Sequence, residues 1–246
     1  MLRVEGLTIH APAGLLLRDV ALELAEGRIT CLIGPSGCGK SSVVKWLAGI
    51  LAPELRAEGR VTLDGAAFVP PHRAVAYQPQ QDTLFPWLTM AENAALGLEI
   101  GGLTRRAALA RVAPLFPVFG LAGQGARFPD QLSGGMRQRA AFLRTIVQDS
   151  RFVLLDEPFS ALDAVTRLKM QDWLCARLAD TPRGVLMVTH DLYEATSLAD
   201  RILVMAAAPG RIVADIPVTT PREDRTEAAL APVRASLRTL LLEDGQ

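Results

Sequence analysis

A glycine-rich stretch at residues 34–41, with the sequence GPSGCGKS, ends in a lysine followed by a serine. Its spacing fits the phosphate-binding loop pattern G-x-x-x-x-G-K-[ST], in which glycines let backbone N–H groups wrap around a triphosphate. Lys40 would reach the β- and γ-phosphates, and the Ser41 hydroxyl would ligate Mg²⁺. The nucleotide-binding residues predicted here are Gly34, Pro35, Ser36, Gly37, Cys38, Gly39, Lys40, Ser41 and Ser42.

Two adjacent carboxylates, Asp156 and Glu157, follow the apolar segment 151–155. Asp156, at the end of a candidate strand, can hold Mg²⁺, usually through a water molecule. Glu157 can polarise the water that attacks the γ-phosphorus. Taken alone, a pair of acids after a strand more often marks the start of a helix. Its place at the end of a candidate parallel strand, downstream of the phosphate loop, favours ATP hydrolysis instead.

The elements that must position these residues alternate between strands and helices. Segment 28–33 is a compact β-branched run that leads into the glycine loop, and segment 41–51 continues as a helix with an apolar face. Strand, glycine loop and helix in this order predict a parallel α/β sheet. Three segments with apolar alternation predict an N-terminal antiparallel β portion: 4–9, 20–24 and 60–63.

The middle of the chain changes character, because Ala, Leu and Arg dominate from about residue 89 to 147. Stretches 104–112 and 135–147 both predict helices. We therefore expect an inserted helical subdomain at 89–147, between the two parts of an ATP-binding core at 1–88 and 148–246.

Alternating strands and helices return after this insertion. The predicted strands are 151–155, 184–188 and 201–205, and the predicted helices are 164–178 and one between the last two strands. Segment 227–241 has apolar residues at helical spacing. Such a helix more often packs on its own domain than binds a membrane or a partner, so we expect packing.

A third motif, LSGGMRQR at residues 132–139, resembles the signature sequence of ATP-binding cassette (ABC) proteins. Other motifs of that family follow at the family's spacing. Gln80, 40 residues after Lys40, matches the Q-loop glutamine, residues 160–163 resemble the D-loop, and residues 188–191 resemble the switch-histidine motif. The resemblance covers essentially the whole chain and implies an α/β fold with a P-loop NTPase (RecA-like) core.

The resemblance also implies roles for individual residues. Glu157, His190 and Gln80 are expected to be catalytic, and Ser41, Gln80 and Asp156 are expected to ligate Mg²⁺. His190 follows a predicted strand and would hydrogen-bond the γ-phosphate in the transition state. The expected reaction is the hydrolysis of ATP to ADP and phosphate.

The signature residues Ser133, Gly134 and Gly135 precede a predicted helix, which makes a second anion-binding N-terminus. One loop already holds the phosphates, so a second one would be redundant within a single site. In ABC proteins this signature docks on the ATP of a second, facing copy. The resemblance therefore implies a homodimer that encloses two ATP molecules.

Three features depart from the usual family pattern. Met136 stands where the family more often has Gln. Ala11 stands where an aromatic residue normally stacks on adenine, so His10 or a neighbour of Ala11 would contact the base. Gln78 and Gln81 flank Gln80, which leaves the Q-loop assignment open by a residue or two.

The resemblance to one branch of uptake cassettes comes from residues 83–98 and 205–218. This branch serves nitrate, sulfonate, taurine and thiamine-precursor uptake. It implies a separate membrane permease, indirectly a periplasmic solute-binding protein, and a cytoplasmic position on the inner face of the cell membrane. The alternative is a stand-alone soluble ATPase with a regulatory role.

Phe85 and Trp87 discriminate between these two functions. Transporter cassettes receive the coupling helix of the permease just after the Q-loop, where these two residues lie. Because the two rings are apolar, packing in the core is an equally good interpretation. The exposure of the rings therefore decides between a docking surface and core packing.

Composition excludes several other classes of protein. The 26 basic and 26 acidic side chains balance, which argues against nucleic acid as a partner. Three scattered cysteines form neither a disulfide framework nor a zinc-ligand pattern, and Cys38 is expected to fill the phosphate loop rather than to act as a nucleophile. No apolar run is long enough for a signal peptide or a membrane span.

Overall fold

The computed structural model describes residues 1–207 and 209–243. Positions 208 and 244–246, which belong to the core predicted at 148–246, lie outside the described residues. In chain order the strands are β1 (Leu2–Ala11), β2 (Gly14–Leu24), β3 (Ile29–Ile33), β4 (Arg56–Leu63), β5 (Ala66–Ala67), β6 (Val75–Gln78), β7 (Phe152–Asp156), β8 (Gly184–Val188), β9 (Arg201–Ala206) and β10 (Arg211–Pro217). The helices are α1 (Lys40–Leu47), α2 (Met90–Ile100), α3 (Arg105–Val112), α4 (Leu115–Val118), α5 (Gly134–Ile146), α6 (Ala164–Asp180), α7 (Leu192–Leu198) and α8 (Glu227–Glu243).

The larger sheet has six strands in the order β10-β9-β3-β8-β7-β6. All of its neighbouring pairs are parallel except β10 with β9. The carboxyl ends of parallel strands meet at one edge of a sheet. The segments that follow Ile33, Gln78, Asp156 and Val188 therefore lie side by side, and these segments carry the predicted chemistry. The predicted α/β fold class is confirmed.

Side-chain alternation in the central strands gives the protein two hydrophobic cores. In β3, Ile29, Cys31 and Ile33 face a core shared with the helices α2 to α6, while Leu32 faces a second core shared with α1. Strand β7 alternates in the same way. A sheet that is buried on both faces holds its strand ends rigidly in place.

The smaller sheet is antiparallel, with the order β2-β1-β4-β5, and it packs over α1 through the second core. The predicted antiparallel portion is confirmed, although β1 and β2 extend beyond the predicted 4–9 and 20–24. Strands β6 and β10, at the two edges of the larger sheet, were not among the predicted strands.

The helix predicted at 41–51 begins one residue earlier and ends at Leu47, so its predicted end is wrong. Gly49 stops the helix because it has a φ of +75°, and a Cβ at that position would press into the backbone of Pro71. The helices predicted at 104–112 and 135–147 are α3 and α5, each shifted by no more than one residue. Helices α2 and α4 lie in the same stretch.

Helix α8 packs on the body of the protein, as predicted. Leu230 and Leu237 are fully buried in the core that includes α6, and Arg234 donates to Thr196 of α7. Among the described residues, no helix combines the length and the apolarity needed to cross a membrane.

Candidate functional site

The phosphate loop lies between the end of β3 and the start of α1. Gly37 and Gly39 adopt left-handed backbone conformations, with φ of +80° and +96°. A Cβ on Gly39 would clash with the side chain of Leu17, whereas a Cβ on Gly37 would meet nothing within 4 Å. The loop therefore rests on β2 at Gly39 and is open at Gly37, which leaves space for an anion to approach the backbone.

The Lys40 side chain binds the backbone of this loop from its inner side. Its side chain is only 8% exposed, and its Nζ donates to the carbonyl oxygens of Gly34 and Pro35 at 2.8 and 2.7 Å. The Sγ atom of Cys38 lies 3.7 Å from the same Nζ. The ammonium group is thus placed at the loop, where the phosphates of a nucleotide would bind.

A buried carboxylate and a hydroxyl lie side by side beyond Lys40. Ser41 Oγ donates to Asp156 Oδ1 at 2.9 Å, and Asp156 is 2% exposed at the end of β7. Burial raises the pKa of the Asp156 carboxyl, and the hydrogen bond from Ser41 opposes that shift. Hard oxygen donors in this arrangement fit Mg²⁺, which is held by one or two protein oxygens together with phosphate oxygens and water.

The three side chains with expected catalytic roles meet at one carboxylate. Gln80 Nε2 donates to Glu157 Oε2 at 3.1 Å, and His190 Nδ1 lies 3.4 Å from the same oxygen. These residues come from the segments after β6, β7 and β8. The structure therefore brings Gln80, Glu157 and His190 together, next to Asp156 and Ser41.

Glu157 has a left-handed backbone with a φ of +49°, which is uncommon for a residue other than glycine. Its N–H donates to the Val188 carbonyl at 3.0 Å, which ties it to the end of β8. The alternative that Asp156 and Glu157 mark a helix start is wrong, because α6 begins at Ala164 with Asp163 as its N-cap. Strained positions of this kind cluster at functional sites.

Geometry also separates the three neighbouring glutamines. Gln78 is fully buried, and its Oε1 accepts from the Thr145 hydroxyl at 2.8 Å, so it contributes to packing. Gln81 is exposed. Of the three, Gln80 is the one that contacts Glu157.

Side chains of helix α5 hold the Q-loop in place by hydrogen bonds, and these contacts were not predicted from the sequence. Arg137 Nε donates to Asp82 Oδ2 at 2.9 Å, and Gln138 Nε2 donates to the Gln80 carbonyl at 3.3 Å. Arg144 donates to the Thr83 carbonyl at 2.9 Å. The sequence offers only one signal for these contacts, which is that the three side chains lie on one face of the helix that follows the signature.

Gly210 is a second contributor that the sequence did not single out. It follows β9, and a Cβ there would collide with the Cys38 carbonyl. Gly210 also exchanges backbone hydrogen bonds with β2, donating to Leu16 and accepting from Arg18, at 2.8 Å each. A glycine at this point lets two backbones meet under the phosphate loop.

The signature residues begin α5. Ser133 is its N-cap, with Oγ accepting from Met136 N at 3.3 Å, and Gly134 and Gly135 form the first turn. Ser133 and Gly134 are exposed. Within the described part of the chain, no hydrogen bond joins these three residues to the phosphate loop.

The two candidates for contact with adenine lie at the end of β1. His10 is exposed and Ala11 is half-buried, and their strand partners on β2 are Leu15 and Gly14. This hairpin tip is close in sequence to Leu16 and Leu17, which lie against Gly39. Both candidates are therefore on the hairpin that borders the phosphate loop.

Phe85 and Trp87 are exposed side by side, at 37% and 69%, with ring centroids 5.3 Å apart. Their backbone is nevertheless held firmly, because the buried Asn93 accepts from Phe85 N at 2.8 Å and donates to the carbonyls of Phe85 and Leu88 at 3.0 Å each. The core-packing alternative for these rings is wrong. They form an apolar patch on a fixed loop.

The chain was compared with known proteins. A family model described as ABC transporter matches residues 17–160, more than half of the chain. The chain is 43% identical to the aliphatic sulfonates import ATP-binding protein SsuB 2 of Burkholderia cenocepacia, over 90% of this chain and 80% of the relative. It is 38% identical to the taurine import ATP-binding protein TauB of Yersinia pestis bv. Antiqua, over 87% of this chain and 82% of the relative.

A similar solved structure is described as a dimeric, post-hydrolysis state of an ATP-binding cassette bound to ADP and Pi. The two chains superpose with a TM-score of 0.78 at 26% identity, over 90% of this chain and all of the other.

Proposed function

Because this chain belongs to the ABC transporter family, whose members bind and hydrolyse ATP, we propose that it is the energy-coupling ATPase subunit of a bacterial importer. The observation that carries the proposal is the meeting of Gln80 and His190 at Glu157, beside Lys40 and the Ser41–Asp156 pair. The similarity to sulfonate and taurine import subunits supports a small anionic or organic nutrient as the solute.

Binding begins at the phosphate loop in this proposal. The N–H groups of the loop and the Lys40 ammonium hold the phosphates, and the residues at 34–42 line the site. Ser41, Asp156 and Gln80 would hold Mg²⁺, which neutralises phosphate charge. The hairpin tip with His10 and Ala11, in the hairpin that borders the phosphate loop, would contact the base.

Glu157 acts on the attacking water. Its Oε2 accepts the proton as the water attacks the γ-phosphorus, and Gln80 fixes this carboxylate by donating to the same oxygen. His190 places Nδ1 near Oε2, and its other ring nitrogen, Nε2, would hydrogen-bond the γ-phosphate. The two neighbours of Glu157 thereby orient the base and stabilise the charge that develops on the phosphate.

A second copy of the chain completes each site. The exposed N-terminus of α5, with Ser133, Gly134 and Gly135, can bind an anion. The ATP bound by the same chain does not need this second anion-binding site, because the phosphate loop already holds it. We therefore propose a homodimer in which this end binds the ATP held by the facing copy. The helical region 89–147 would act as a subdomain on the core formed by 1–88 and 148–246.

The exposed Phe85–Trp87 patch favours the importer over a stand-alone regulatory ATPase. An apolar surface on a fixed loop beside the Q-loop suits the coupling helix of a membrane permease. The subunit would then lie in the cytoplasm against the inner face of the membrane, with a periplasmic solute-binding protein acting from the other side. Nucleic acid is not an expected partner.

The test uses Glu157→Gln, which keeps the shape of the side chain and removes the base. This variant should bind Mg-ATP, lose at least about 100-fold in ATPase rate and accumulate as an ATP-bound dimer on size-exclusion chromatography. Glu223→Gln, an exposed carboxylate in a short turn before α8, is the matched control and should behave as wild type. Normal hydrolysis by Glu157→Gln would refute the assignment of the base.

Uptake provides the second arm of the test. The wild-type chain, expressed with the permease and the solute-binding protein of a related sulfonate or taurine importer, should support uptake of radiolabelled taurine or an alkanesulfonate in cells lacking their own system. Uptake that is independent of this chain would favour the regulatory alternative.

A further inference from the structure

Arg167, on the first turns of α6, connects two loops that flank the site. Its Nη2 donates to the Leu162 carbonyl in the D-loop at 3.2 Å. Its Nη1 lies 3.6 Å from Asp191 Oδ2, and Asp191 directly follows His190. One guanidinium group therefore spans from the D-loop to the loop that carries the switch histidine.

A second connection lies one helical turn further along α6. Gln171 Nε2 donates to Glu194 Oε1 at 2.9 Å, and both side chains are buried. Residues four apart share a helix face, so Arg167 and Gln171 reach α7 from the same side. Asp191 accepts from the N–H groups of Tyr193 and Glu194 as the cap of α7. This face of α6 is thereby joined to the His190 loop through Asp191 and to α7 through Glu194.

The space under this connection is polar. A cavity of about 50 Å³ lies between the two loops, and its lining includes Ser160 of the D-loop, His190 and Asp191 of the switch-histidine loop, and Glu157, Arg167 and Glu194. Arg167 Nε is buried without a hydrogen-bond partner among the described residues. A volume of roughly 10–15 Å³ already holds one water, so a water molecule in the cavity would satisfy this donor.

We propose that Arg167 is a positioning residue that fixes His190 relative to the D-loop, so that the hydrolytic geometry at Glu157 depends on where the D-loop lies. The proposal rests on the ATPase function proposed above, and adds a residue to which the family motifs assign no role. A planar guanidinium group suits this task because it can donate in two directions from a rigid frame. Arg167 would touch neither nucleotide nor water in the reaction.

The first test is Arg167→Gln in the purified subunit. Because only positioning is lost, kcat should fall about tenfold while the KM for ATP stays within about twofold. Lys169→Gln, an exposed cation two residues further along α6, is the matched control and should keep the wild-type rate. A wild-type kcat in Arg167→Gln would overturn the proposal.

The second test addresses the ion pair without disturbing the helix cap. Asp191→Asn keeps a side-chain oxygen that can cap α7 and removes the charge that faces Arg167. It should lower kcat in the same direction, and the Arg167→Gln/Asp191→Asn double variant should lose less than the product of the two single effects. Independent, multiplicative losses would contradict a shared bridge.

Arg167→Lys supplies the conservative variant. An ammonium group can still pair with Asp191 but cannot also span to Leu162, so this variant should recover part of the lost kcat. Losses of equal size in the Lys and Gln variants would contradict the bridge. If Arg167→Gln melts at a lower temperature, the Asp191→Asn result decides, because its cap remains.

Failure of this inference differs from failure of the proposed function. An inactive wild-type subunit, or a Glu157→Gln variant without an ATP-bound dimer, would refute the function. An active wild type whose Arg167 and Asp191 variants match it would refute only the positioning role. The Glu157→Gln/Arg167→Gln double variant should still form the ATP-bound dimer, since binding does not depend on His190.

Discussion

The phosphate loop and the signature loop are both glycine-containing segments that lead into a helix, yet their surroundings differ. Gly39 lies against Leu17, the Cys38 carbonyl lies against Gly210, and Lys40 is almost fully buried. By contrast, Ser133 and Gly134 are exposed, and a Cβ on Gly134 would meet only Arg137, at 3.9 Å. The first loop is thus enclosed by its own chain at Gly39 and Lys40 and exposed at its tip, Ser36 and Gly37, whereas the second loop is open to solvent.

Two loops of similar local chemistry can therefore serve two purposes. A loop enclosed by its own chain binds a ligand with little reorganisation, which lowers the cost of binding. A loop that faces solvent contributes only when a partner arrives, so its activity depends on assembly. Variants in the two loops should therefore fail in different ways.

Lys40→Ala should cause the largest effect. It removes the ammonium group from the enclosed loop, so both ATP affinity and ATPase rate should fall by at least about 100-fold. Isothermal titration with ATP and a phosphate-release assay measure the two losses, with Lys169→Ala as the exposed control. Ordinary turnover in Lys40→Ala would mean that the phosphate loop has been misassigned.

Ser133→Arg should separate binding from hydrolysis. It places a bulky cation at the open loop, so ATP affinity should stay within about twofold while hydrolysis falls by about 100-fold. Ser236→Arg on α8, also exposed, should be active. Mixing the Ser133 and Lys40 variants should rebuild one intact site per heterodimer and restore part of the activity. Full activity of Ser133→Arg alone would argue against a shared site.

Trp87→Ala should affect assembly and leave the enclosed loop intact. Removing a large exposed aromatic anchor should cost about 2 kcal/mol of association with the permease. Because the ring is exposed, the stability of the isolated subunit should change by no more than about 0.5 kcal/mol. Co-purification, uptake and thermal melts measure these effects, with the exposed Ile100→Ala as control. A large loss of stability would show that the ring supports the fold.

Met136→Gln should have the smallest effect. Met136 is half-buried against the core around α5, and Gln has a similar length, so the ATPase rate should change by no more than about threefold. The N-terminal cap from Ser133 uses only the backbone of this residue. Steady-state ATPase measurements test this, and a tenfold change would show that the side chain itself takes part in the open loop.

Much of the fold followed from sequence because its signals are local. The burial of the central strands requires continuous apolar runs, and the phosphate loop requires glycines at fixed spacing. Both features can therefore be recognised in the sequence. Edge strands β6 and β10 were harder to recognise. Strand β6 is only four residues long, ends at the polar Gln78 and is followed by Pro79, so its sequence is typical of a loop, although β7 holds the strand in place.

Which residues could bind phosphate, hold a metal and move a proton follows from the amino-acid sequence alone, because each of those tasks needs particular side chains at particular spacings. The meeting of Gln80 and His190 at one oxygen of Glu157 depends on the tertiary structure, since the three residues follow three strands that are separated in the chain and adjacent in the sheet. The tertiary structure also decided that Phe85 and Trp87 face outward and that Arg167 spans two loops. Apolarity and charge define what a side chain can contact, while the packing of the sheet and helices selects the contact that forms.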